Sequence, residues 1–141
     1  MQDTELNDND GAPFRVPGDG IITTEKEYLG SAVPDNFTVY YNLTDNQHVA
    51  AATLKSGGAT VPDRLVFAHW GWITDSDYDY TVDLGRSLTS DSAYAVYWNP
   101  TTLAPGESHI CDPLWFGSIA CGSYAATCSR YYCSGDIICN Q

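Results

Sequence analysis

Lysine is almost missing from this chain: Lys26 and Lys55 are the only examples in 141 residues. Lys and Arg together number 6 against 18 Asp and Glu, a formal net charge of −12. That field repels phosphate backbones and anionic membrane surfaces, so nucleic acid is excluded as a partner class. It attracts cations, calcium among them. Methionine occurs only as Met1. No run approaches the roughly 20 apolar residues that span a bilayer, so membrane insertion is not expected. No apolar leader follows Met1, whose next residues are QDTELNDNDG. There is no GxSxG elbow, no CxxC spacing and no convincing helical period, which removes the local signatures of a serine hydrolase, a zinc knuckle and a thioredoxin-like site.

What remains is a chain of strand formers. Hydrophobic residues make up 43% and aromatic residues 13%, with ten tyrosines, enough for one globular domain with a real core. The organising stretch is 61–110. Within it 64–72 is the strongest strand candidate: Leu65 and Phe67 share one face, Val66, Ala68 and Trp70 the other. Both faces are apolar, as in a strand packed on two sides. Residues 78–82 and 92–98 alternate with period two, and Asn99-Pro100 ends the latter. Upstream, 21–29 reads as an edge strand kept soluble by Lys26 and Glu27. Phe37, Val39 and Tyr41 share a strand face, and 49–54 is a short apolar run, strand or helical turn. Pro17-Gly18 and Pro105-Gly106 are turn signals, and 108–110 reads as the start of another strand. Turn chemistry at intervals of roughly 8–15 residues, without a helical period, predicts an all-β fold, an antiparallel β-sandwich of the jelly-roll or Ig-like kind. The chain divides into an acidic N-terminal segment (1–11), the sandwich (12–110) and a cysteine-rich tail packed on the same domain (111–141).

The cysteines Cys111, Cys121, Cys128, Cys133 and Cys139 all fall in that tail. An oxidised framework stapling the tail is expected, which places the protein outside the cell or at its surface. Five is odd, so at most two internal bridges form, and the leftover thiol either stays free or bonds a second chain. The sequons Asn36-Phe-Thr and Asn42-Leu-Thr are candidate glycosylation sites and fit that compartment.

Candidate sites follow from charge and aromaticity. Asp75, Asp77 and Asp79 recur at every second residue with Asp83 just beyond. Alternating carboxylates and backbone carbonyls can supply the oxygens calcium requires, although the loop lacks the glycine of a DxDxDG motif. Against this stands a solvated acidic loop. Asn7, Asn9 and Gly11 alternate in a similar but fainter way. Trp70 and Trp98 read as core. Trp72, beyond Gly71 and beside the acidic run, is expected to be exposed and, with Tyr78, to be available for stacking on a sugar ring. His69 reads as a satisfied residue of an apolar strand. His109 lies two positions before Cys111, a catalytic pair only if that cysteine is free.

The runs DSAYAVYWNPTTLAPGES, APFRVPGDG and VPDRLVFAHWG resemble β-sandwich modules of archaeal and bacterial extracellular and cell-surface proteins, over roughly residues 12–110. The resemblance implies adhesion, scaffold or carbohydrate-associated roles, and the tail from Cys111 departs from it; the lack of a catalytic set in the sequence sets the expectation of no enzymatic activity. The expectation is an extracellular structural protein that assembles with copies of itself into a filament or surface layer. The alternative is a carbohydrate-binding module with a calcium-ordered loop and glycans as partners.

Overall fold

The computed structural model describes residues 1–6, 8–44, 48–55, 58–76, 79–108, 110 and 114–119, with Gln2, His48 and 114–119 described by backbone alone. The five cysteines, Asp77, Tyr78, Asn7 and His109 lie outside these residues, as does the side chain of Trp115.

Two antiparallel sheets carry the fold. The first has four strands in the order β1 (Gln2–Asp3), β8 (Ser92–Tyr97), β7 (Arg64–His69) and β4 (Lys26–Leu29). The second has five, ordered β3 (Gly20–Ile22), β2 (Phe14–Val16), β5 (Asn36–Tyr40), β6 (His48–Thr53) and β9 (Leu114–Ile119). The sole α-helix among the described residues is the single turn α1 (Trp70–Ile73). Every pairing is antiparallel, so the all-β expectation holds. No described helix is long and apolar enough to cross a membrane.

Alternation drives the packing. On β5, Phe37 and Val39 are buried while Asn36 is exposed. Phe14 and Phe37 from the five-stranded sheet meet Phe67 and Tyr94 from the four-stranded one. Phe67 sits 4.3 Å from Phe14 and 5.0 Å from Phe37, the latter edge to face. Phe37 is 5.1 Å from Tyr94. Such pairs add about 0.5–1.5 kcal/mol beyond the area they bury. The other face of β7 is buried too. Val66 and Ala68 join Ala93, Ala95, Ile73 and Tyr80 in a second cluster beneath the 70–88 segment. The doubly apolar pattern of β7 thus reflects two separate cores.

Both Pro-Gly turns form with the glycine in the left-handed region that a type II turn demands. Gly18 has φ 92° and Gly106 φ 90°, and Asp19 and Glu107 donate their N–H to Val16 and Ala104.

Several boundaries differ from the sequence reading. The single strand expected at 21–29 is two, β3 and β4, in different sheets, because between them Glu25 turns its side chain into the protein. The strand expected to reach Trp72 stops at His69. There the imidazole Nδ1 accepts the Gly71 N–H at 3.2 Å and caps α1. Trp70 therefore leaves the sheet and packs, half-buried, against the second cluster. Residues 79–82 are not a strand; Tyr80 is buried as a plug instead. Ile110 is not in a strand either, though its carbonyl accepts the Thr60 N–H.

Candidate functional site

The N-terminal segment is strapped across the start of β8, and the strap is organised by Ser92. This serine is fully buried. Its carbonyl accepts the Thr4 N–H at 2.9 Å, its own N–H donates to Asp10 O at 2.8 Å, and its hydroxyl donates to Ala12 O at 2.9 Å. Between the two halves of the strap the chain reverses in a tight turn, with Leu6 and Asn9 exchanging backbone hydrogen bonds. Asn9 Oδ1 accepts the Gly11 N–H, and its Nδ2 donates to Tyr41 O. Gly11 then passes so close to Thr89 that an added Cβ would lie 2.2 Å from the Thr89 carbonyl oxygen.

This strap brings three carboxylates together. Asp3 lies opposite Ala93 in the β1–β8 ladder, Asp10 follows the turn, and Asp91 immediately precedes β8. Oxygens of Asp3, Asp10 and Asp91 all lie within 4.8 Å of one another. One oxygen of Asp3 and one of Asp91 are buried without a hydrogen-bond partner. Burial first, then the charges of Asp10 and Asp91, raise the Asp3 carboxyl above its ordinary value. Three clustered carboxylates with orphaned oxygens are the donor set that a hard cation such as calcium takes, and a costly arrangement without one. Sequence reasoning missed this trio. Its members come from three distant segments, and no local spacing relates Asp3 to Asp91.

The sequence candidates lie elsewhere. Asp75, Asp79 and Asp83 are exposed, and none belongs to the clustered trio. Asp83 Oδ1 accepts the Gly85 N–H, and its Oδ2 lies 3.5 Å from Arg86. Asp77 and Tyr78 fall outside the described residues. Trp72 is 54% exposed, as expected, and the Arg86 guanidinium lies 4.5 Å from its ring centroid. Trp98 is half-buried and donates its indole N–H to Thr60 O.

Arg86 links the exposed Trp72 to a buried hub. The Glu25 side chain is wholly buried. Its carboxylate accepts from Tyr80 Oη at 2.5 Å, Arg86 Nη1 at 3.2 Å, and the backbone N–H of His69 and Asp83. Arg86 also donates to Tyr80 Oη at 2.7 Å. Burial, then the Glu25 carboxylate, push the Tyr80 phenol well above its ordinary value. Tyr80, Asp83 and Arg86 are thus tied to the His69 end of β7 through this carboxylate.

One constellation resembles hydrolase machinery and is not competent as arranged. His69 Nε2 lies 3.2 Å from Ser90 Oγ, and Nδ1 lies 3.8 Å from Asp91 Oδ2. An orienting acid must receive a proton from Nδ1, yet Nδ1 is already accepting the Gly71 N–H. The neutral ring then carries its proton on Nε2 and donates it to Ser90, the reverse of what a general base needs.

A shallow groove of about 550 Å³ opens between Val16, Tyr28, Val33, Asp19, Asp35 and Lys55. Its charges are already paired: Asp19 with Lys26 and Tyr28, Asp35 with Lys55 at 3.2 Å. Compared with protein-family models, curated proteins and solved structures, the chain gives no match.

Proposed function

We propose that this chain is an extracellular structural protein, a β-sandwich that assembles with copies of itself into a filament or surface layer. The observation that carries the reading is the strap. β1 occupies the outer edge of the four-stranded sheet through only two paired residues, Gln2 with Tyr94 and Asp3 with Ala93. Ala95 and Val96 beyond them have no strand on that side among the described residues. A short edge strand joined to the body by a tight turn can leave its own sheet edge and complete a neighbour's, forming the same hydrogen bonds between chains. The Leu6–Asn9 turn is the hinge. Repetition of that exchange head to tail gives an open filament. Calcium belongs to this reading as the ion that Asp3, Asp10 and Asp91 would hold, fastening the strap wherever it docks. The oxidised tail, with its odd cysteine, supplies a covalent lock between subunits.

Light scattering after size exclusion, with electron microscopy of the concentrated chain, tests the proposal. Filaments or large oligomers are expected, and removal of residues 1–5, with the inter-subunit disulfide reduced, should return the protein to monomer. A chain that stays monomeric at every concentration, with and without calcium, overturns the reading. Filaments that survive the truncation overturn the strand-exchange route.

A second reading, a carbohydrate-binding module, is favoured by one observation: Trp72 is exposed yet held by an arginine anchored in the core. Glycan capture that is lost in Trp72→Ala and kept in Leu84→Ala would support it.

A further inference from the structure

The two sequons occupy very different surroundings, and the difference bears on a modification. Asn42, half-buried, lies beyond the end of β5, one residue after Tyr41, in the β5–β6 connection. Its side-chain Oδ1 accepts both the Thr44 N–H at 2.9 Å and the Thr44 hydroxyl at 2.7 Å. Leu43 between them is 61% exposed, and Thr44 is exposed. The acceptor amide and the hydroxyl of the sequon are therefore folded onto one another in a turn outside the ladder. An enzyme that must contact both groups at once finds them already together.

Asn36 offers the reverse. It lies in β5, which is flanked by β2 on one side and β6 on the other. Asn36 pairs with Thr53, and Thr38 pairs with Ala51 and Arg15. The middle residue, Phe37, is fully buried against Phe14, Phe67 and Tyr94. Bending this sequon into an enzyme would unzip strand pairs on both sides and withdraw a core aromatic.

We propose that Asn42 is an N-glycan acceptor and that Asn36 is not. The reaction is displacement at the anomeric carbon of a lipid-pyrophosphate-linked oligosaccharide. The Asn42 Nδ2–C1 bond forms and the C1–O bond to the pyrophosphate breaks. The lipid pyrophosphate leaves with the bonding electrons, and one amide proton passes to a base of the transferase. The proposal rests on the extracellular reading, since only an exported chain meets such a donor. The glycan would stand on the β5–β6 connection of the five-stranded sheet, one residue beyond Tyr41, whose carbonyl accepts the Asn9 side-chain amide of the strap.

The test is secretion of the chain from a eukaryotic host that performs N-glycosylation, followed by mass spectrometry of intact protein and peptides. A glycan mass on the Asn42 peptide and none on the Asn36 peptide is expected. Asn42→Gln and Thr44→Val should each remove it, and Asn36→Gln should leave it. Occupancy is read directly on the wild-type chain, so poor folding of a variant does not obscure the result. A secreted chain with no glycan, or with equal occupancy at both asparagines, overturns the proposal. Assembly is measured on unglycosylated protein, so either proposal fails without the other.

Discussion

Two carboxyls of this protein are pulled in opposite directions, and each makes its own prediction. Hydrogen bonds from Lys26 and Tyr28 hold Asp19 below its ordinary value of 3.8. A depressed carboxyl contributes stability above the unfolded value, and that contribution is lost as pH falls through the folded one. Asp19 therefore stays ionised below pH 3.8, and its contacts loosen only in stronger acid. Lys26→Met should move its titration up toward the ordinary value, read by carboxyl carbon NMR. Asp3 behaves in the opposite sense: burial and the charges of Asp10 and Asp91 raise it. Its contribution is present at low pH and is lost as pH rises through the raised value. In chelator, Asp3→Asn should stabilise the chain at neutral pH by roughly 0.5 kcal/mol, since the trio is partly solvent-screened. In calcium the same substitution should abolish the melting shift that the ion produces in wild type. A wild-type chain whose melting ignores calcium would remove the cation from the account.

At the scale of elements, residues 80–88 are held by an isolated backbone bridge, Thr24 with Ser87, and by the buried Glu25 side chain beside it. Glu25→Ala should cost about 3 kcal/mol, because Arg86 and Tyr80 lose a buried ionic partner while Arg86 keeps some access to water. Denaturant melting measures the loss, and a fall in the raised Tyr80 titration confirms its cause. Gly11→Ala forces a Cβ into the Thr89 carbonyl and should cost about 1–3 kcal/mol, with hydrogen exchange rising first at Thr4 and Ser92. These two devices mark the boundary of what local sequence could reveal. β5, β7 and β8 were legible because alternation and doubled apolarity are properties of a strand in itself. The break at Thr23–Glu25 was not, because it follows from a partner, Arg86, far along the chain. The end of β7 was missed for a similar reason. An apolar pattern running into Trp70 cannot announce that His69 will cap the next turn. Exposure of Trp72 was readable from its place beyond Gly71. The Asp3, Asp10 and Asp91 trio was unreadable, since only the docking of the strap creates it.

The whole molecule carries a charge of −12, and that figure constrains how copies of it meet. Two such bodies repel across open water, and the repulsion reaches about 10 Å at 0.1 M salt and about 30 Å at 0.01 M. The proposed strand exchange would bring the strap of one copy, with Asp3, Glu5 and Asp10, onto the Asp91 end of another copy's β8. The hydrogen bonds gained there equal those given up, so they do not drive assembly. The balance is left to the orphaned carboxylate oxygens and the net charge, and a divalent cation acts on both. It satisfies the oxygens at the junction and reduces the charge of each subunit, whereas monovalent salt only screens. Assembly should therefore be slow in low salt with chelator, faster in sodium chloride, and fastest in calcium at far lower ionic strength. Light-scattering kinetics across matched ionic strengths separate these terms. Equal rates in calcium and sodium at the same ionic strength would mean that charge alone governs association and that the trio has no part in it.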